Sequence, residues 1–72
     1  MLIEYLLKFG TERLNNLISS LLNAIPSTDY DAHLMINSLG NIIDAAKHGF
    51  LNDLLIIQTI IEQYNLQSLI YL

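Results

Sequence analysis

The sequence predicts an all-α fold, a small three-helix bundle or a helical hairpin plus a third helix, over about residues 2–25, 29–48 and 52–67. Three observations carry that prediction. Apolar residues recur at helical spacing through nearly the whole chain, no stretch alternates as a half-buried strand does, and helix stop and start signals fall between the periodic segments. One helical domain over 1–72 is expected.

In the first segment Ile3, Leu7, Gly10, Leu14, Leu17, Leu21 and Ala24 follow a 4-3-4-3 spacing, the seam that keeps one stripe of a helix against a neighbour. Ile18 and Ile25 widen the seam to the broader face of a bundle helix. A break at Gly10 with Thr11 capping a second helix is the rival reading. The unbroken register across Gly10 favours one helix. Pro26 ends it, because the residue before a proline is pushed out of the helical region.

Ser27, Thr28 and Asp29 are all good N-caps, and Thr28 with Asp31 makes a short form of the capping box, so a second helix starts near Asp29. Its face is Ala32, Met35, Ile36, Leu39, Ile42, Ile43 and Ala46. Asp31, Asn37, Asn41 and Asp44 lie opposite, with Leu34 as an apolar exception. Lys47 and His48 suit the negative end of the helix dipole, and Gly49 suits a left-handed cap. Asn52 or Asp53 caps the third helix, whose face is Phe50, Leu54, Ile57, Ile61 and Tyr64, broadened by Ile56 and Ile60. Helicity is expected to fade over 65–68 and to leave Leu69–Leu72 as a final turn or tail. The short links at 26–28 and 49–51 make successive helices antiparallel neighbours.

Composition sets limits on function. The chain is 53% hydrophobic and 14% charged, where a soluble domain averages about a quarter charged, so some apolar surface is reserved for another chain or the core is unusually dense. An AT-rich coding bias would supply part of that excess. Three cations against seven acids cannot build a phosphate-binding footprint, which excludes nucleic acid and disfavours anionic membranes. The third segment holds no Lys or Arg, so the helix-turn-helix reading of the last two helices fails.

Without cysteine there is no disulfide, thiolate metal site or thiol nucleophile, and the chain fits a reducing, cytoplasmic setting. Glu4 interrupts the apolar N-terminus, and no basic start or cleavage site marks a secretion signal. Polar residues from Asp53 to Gln67 break the last segment, so no membrane span is expected.

No constellation reads as catalytic, metal-binding or cofactor-binding. Asp29 and His33 are one helical turn apart, but a zinc site needs three or four converging ligands. Asp29 and Asp31 are simple complements to a helix N-terminus. Ser19 and Ser20 have no histidine at a useful spacing, and the three glycines are isolated. An enzyme is not expected.

Apolar residues remain once each seam is assigned to a core. Leu2, Tyr5, Leu6 and Phe9 form a second stripe on the first helix, which Arg13, Asn16 and Ser20 continue as polar. Leu51, Leu55, Leu66 and Leu69 lie off the main face of the third segment. In an up-down-up bundle Leu2–Phe9 and Phe50–Leu55 share one end. These eight residues are the expected protein-binding patch, offered to a partner helix or to a second copy of the chain. The resulting expectation is a non-enzymatic interaction module of the small chaperone, adaptor or inhibitor class. A self-complementary structural oligomer is the alternative, and a peripheral membrane helix comes third. The opposing possibility is that the stripes pack inside the monomer, with the chain folding back on its own tail.

Overall fold

Chain breaks at Gly10, Ser38 and Asn65 turn the three expected helices into six. In the computed structural model, which describes residues 2–71, these are α1 (Leu2–Leu6), α2 (Thr11–Ala24), α3 (Tyr30–Asn37), α4 (Leu39–Lys47), α5 (Asn52–Gln63) and α6 (Gln67–Ile70). No strand occurs among the described residues.

The first break corrects the expected helix 2–25. After α1 the chain tightens, with Lys8 N–H donating to the Tyr5 carbonyl at 3.2 Å and Phe9 N–H to that of Leu6 at 3.0 Å. Gly10 is then extended (φ −71°, ψ 169°) and serves as the N-cap of α2. The heptad register therefore does not run through. Leu7 and Ala24, both on the expected seam, are exposed, while Leu2, Leu6 and Ile25 are buried. The physical reason is that a straight helix with apolar residues on two sides can bury only one of them. Breaking at Gly10 turns α1 onto α4 and hides the side carrying Leu2, Ile3 and Leu6.

The end of α2 follows the proline rule, with Ile25 extended (ψ 133°) before Pro26. Asp29 is the N-cap of α3, its carboxylate accepting from Ala32 N–H at 3.1 Å. The Thr28–Asp31 capping box is thus replaced by a cap one residue later.

The second break corrects the expected helix 29–48. Ser38 Oγ donates to the Leu34 carbonyl at 3.2 Å, and Ser38 N–H moves to the Met35 carbonyl at 3.1 Å. A serine that bonds back in this way bends a helix. The bend separates α3 from α4 without breaking the apolar face, since Ala32, Ile36, Leu39, Ile42, Ile43 and Ala46 are all buried.

Two Schellman motifs close α4 and α5. Gly49 N–H donates to Ala46 and Phe50 N–H to Ala45, both at 3.1 Å, with Gly49 at φ 93°. Asn65 repeats the arrangement at φ 55°, donating to Glu62 at 3.3 Å, while Leu66 donates to Ile61 at 2.9 Å. Asn tolerates this left-handed conformation better than most residues. The third expected helix, 52–67, therefore ends at Gln63, and Leu66 turns inward as the apolar residue after the motif. Residues 67–70, expected partly as fading helix and partly as tail, form α6, which packs on α2 and seats Ile70 in the core. Leu72 of that expected tail lies outside the described residues.

The core is one aliphatic cluster fed by every helix, built from Leu, Ile and Ala, with no buried polar or charged side chain among the described residues. The radius of gyration of the chain, 11.2 Å, equals the roughly 11 Å expected of a compact chain this long. All aromatic side chains stay at or near the surface. Tyr5, Phe9 and Tyr64 pack against the outside of the core, and Tyr30, Phe50 and Tyr71 are exposed.

Candidate interaction groove

The eight residues of the expected patch divide three ways. Leu2, Leu6 and Leu66 are buried in the core, so they cannot form an exposed stripe, and this corrects the sequence reading for them. The cause is the break at Gly10 for Leu2 and Leu6, and the Asn65 cap for Leu66. Tyr5, Phe9 and Leu69 pack partly buried against the cluster. Leu51 and Leu55 stay exposed, at 39% and 59% of full accessibility.

The chain does fold back on its own tail. The Tyr5 ring meets that of Tyr71 at 4.9 Å between centroids and that of Phe9 edge-on at 5.3 Å. Such pairs add about 0.5–1.5 kcal/mol beyond their buried area, which helps hold the five-residue α1 in place. The guanidinium of Arg13 lies 3.9 Å from the centroid of the Phe9 ring, a cation–π contact that covers that ring.

Leu2, Tyr5, Leu51 and Leu55 nonetheless come together, as the shared bundle end predicts. With Leu54 and Tyr71 they line a groove of about 500 Å³ between α1, α5 and the C-terminal turn, edged by Glu4, Lys8 and Gln58. Leu51, the residue before α5, and Leu55 in its first turn are one turn apart, with Leu55 N–H donating to the Leu51 carbonyl at 3.0 Å. Leu2 is largely covered and forms the floor edge. Phe9 and Leu69 line a separate, smaller hollow of about 180 Å³ with Arg13, Asn16, Leu17, Ser20 and Ile70.

Sequence reasoning missed Phe50, Tyr71 and Ile56. Phe50 was expected in the seam of the third helix, but it precedes α5 and is 72% exposed, because the Gly49 cap swings the chain outward there. Ile56, expected to broaden the core face, is exposed instead. The signal for Tyr71 was available in the apolar run Leu69–Leu72, which was read only as a tail.

The polar groups are tied into the fold. Asp29 takes a short hydrogen bond from the Tyr64 hydroxyl, joining the start of α3 to the end of α5. That bond, with the Ala32 N–H and the nearby His33, holds the Asp29 carboxyl below the ordinary carboxylate range. The same bond, together with partial desolvation, pushes the Tyr64 hydroxyl up. His33 lies 3.0 Å from the Ile25 carbonyl, which can only accept, so Nε2 carries the proton. His48 Nδ1 makes the equivalent bond to the Asp44 carbonyl at 2.9 Å.

Asp29 and His33, weighed above as a weak metal pair, are thus bound to different protein groups. No cluster of three metal-ligating side chains occurs among the described residues. Nor is any described helix long and apolar enough to cross a membrane. Comparison with family models, with curated proteins and with solved structures finds no match for the chain.

Proposed function

We propose that this chain is a non-enzymatic helical interaction module that engages another polypeptide through the groove between α1, α5 and Tyr71. The observation that carries the reading is the groove itself. About 500 Å³ of mostly apolar concavity opens beside Leu51, Leu55 and Tyr71, with Phe50 one residue away in the chain. Grooves lined this way receive the apolar face of a helix or extended segment. Asp29 and His33, the pair weighed for metal chemistry, serve a helix cap and bonds between elements, which supports binding rather than catalysis. Small adaptors, chaperones and inhibitors are the class of that size and character, acting in the reducing setting that a cysteine-free sequence fits.

Site-specific photo-crosslinking tests this. A benzophenone side chain at position 55 is expected to yield discrete higher-mass adducts in cells making the full chain. The same probe at Asn41, exposed on α4, is expected to yield none. Equal labelling at both positions, or none at 55, overturns the groove as an interaction surface.

A further inference from the structure

We infer that the two ends of the chain form a clasp: α1 and the C-terminal arm from Gln67 to Tyr71 open and close as one unit over a core that stays folded. The clasp is a property of the chain by itself, whatever the groove receives.

The lengths of the two ends come first. α1 has five residues and α6 has four, and helices that short do not hold their shape in water unless they are docked. Each end is therefore helical only where it packs. α1 packs on α4 with Leu2, Ile3 and Leu6 buried, and α6 packs on α2 with Ile70 buried.

The joints to the rest of the chain are suited to pivoting. Gly10 is extended and exposed, with open space where a Cβ would go. Asn65 is exposed and left-handed, and beyond it the Leu66 N–H bond to the Ile61 carbonyl pins the turn to α5. Rotation at Gly10 and beyond Leu66 frees both ends while α2 and α5 stay intact.

The two ends also hold each other. The Tyr5 and Tyr71 rings meet at 4.9 Å between centroids, and Phe9 packs edge-on against Tyr5 at 5.3 Å. Phe9 in turn lines the smaller hollow together with Leu69 and Ile70. Releasing either end thus removes a support of the other. The groove is built across this clasp, with Leu2 and Tyr5 from α1, Tyr71 from the arm and Leu54 and Leu55 from α5. It exists only while the clasp is shut, so a ligand of the groove holds the ends closed.

Native-state amide hydrogen exchange of the full chain in low urea tests the inference. The Leu7 amide, bonded to Ile3, reports α1, and the Leu69 and Tyr71 amides, bonded to Leu66 and Gln67, report the arm. Ile42 and Tyr64, bonded to Ser38 and Ile60, report the core. Leu7, Leu69 and Tyr71 are expected to share one protection level, below that of Ile42 and Tyr64, and one shallow urea dependence, because opening the clasp exposes little surface. Leu6→Ala is expected to lower protection at Leu69 and Tyr71 by at least about tenfold, and Ile70→Ala to do the same at Leu7, since each truncation weakens only the closed form. Tyr71→Phe keeps the ring and is expected to exchange as wild type does. In a Tyr71→Ala background, Leu6→Ala is expected to leave Leu69 unchanged. Circular dichroism confirms that each variant keeps its core helicity.

Leu6→Ala that leaves Leu69 and Tyr71 as protected as in wild type, or Ile70→Ala that leaves Leu7 so, means that the ends open separately and overturns the clasp. Leu7 and Leu69 that exchange with the protection and urea dependence of Ile42 overturn it as well, because the ends then belong to the global unfolding unit. Leu69 that still responds to Leu6→Ala in the Tyr71→Ala background overturns the ring contact as the link between the ends.

Discussion

Truncating Leu6 to alanine separates the structure from the exposed stripe that periodicity suggests. Leu6 is only 3% exposed and sits among the aliphatic side chains of the core. Removing its isobutyl end loses the transfer energy of the deleted atoms and leaves a cavity, at a cost of about 2–5 kcal/mol, centred near 3. A chain of this length has roughly 4–11 kcal/mol of stability in all, so the loss takes a large share of it. Each kcal/mol moves the midpoint of a domain this small by about 4–8 °C, so a 3 kcal/mol loss lowers it by roughly 12–24 °C. Leu55→Ala is the matched comparison. Its side chain is already 59% exposed, and truncation forfeits at most about 1 kcal/mol of burial. The assay is thermal and urea unfolding followed by circular dichroism, at a concentration low enough to keep association out of the midpoint. If Leu6→Ala is as mild as Leu55→Ala, α1 is not docked on the core, and the argument from the break at Gly10 is wrong.

The remaining predictions use the caps and the tethers. Gly40 lies within α4 with open space where a Cβ would go, so Gly40→Ala is expected to stabilise by about 0.5–1 kcal/mol in urea melts. Gly49→Ala has equal space but keeps φ at 93°, and is expected to cost about 1–2 kcal/mol in the same assay. Asp29 is held below its ordinary pKa in the fold, so the unfolded chain binds the extra proton. Its contribution is therefore complete above about pH 4 and lost as pH falls through the folded value. Tyr64 is held above 10.0, so the bond between them also weakens as pH rises from about 10. NMR titration of Asp29 checks the origin of both effects: Tyr64→Phe is expected to move the Asp29 pKa back up towards 3.8, and an unmoved value would show that Tyr64 is not its main partner.

Much of the helix layout was legible because strong local signals marked it. Pro26 and Asp29 bounded the first link, and Gly49 closed α4 by the expected cap. The amphipathic face from Ala32 to Ala46 also stood out, since the bend at Ser38 left its register intact. The interruptions were not legible from periodicity, which reports faces and not continuity. Ser38 bends the chain by a hydroxyl bond to Leu34, and many serines inside helices make none. Asn65 ends α5 by taking a left-handed conformation, a choice that Asn permits but does not compel. In α1 five residues are too few to define a face from spacing. Ile3–Leu7 and Leu2–Leu6 are equally good pairs in the sequence, and in the docked helix Leu2, Ile3 and Leu6 are buried while Leu7 is exposed. The expected site met the same limit. The shared bundle end of Leu2, Tyr5, Leu51 and Leu55 followed from topology. The depth of each side chain depended on where the helices broke.

Methyl NMR spectra of the labelled chain, recorded in dilute buffer and again in concentrated lysate of the cells that make it, decide whether the groove is where this chain engages another polypeptide. Leu34 is the internal control, because at 57% its exposure nearly equals that of Leu55 while it lies outside the groove. The methyl signals of Leu2, Leu51 and Leu55 are expected to shift or broaden together in lysate while those of Leu34 stay fixed. Groove methyls that stay fixed, or that shift no more than those of Leu34, would contradict engagement there.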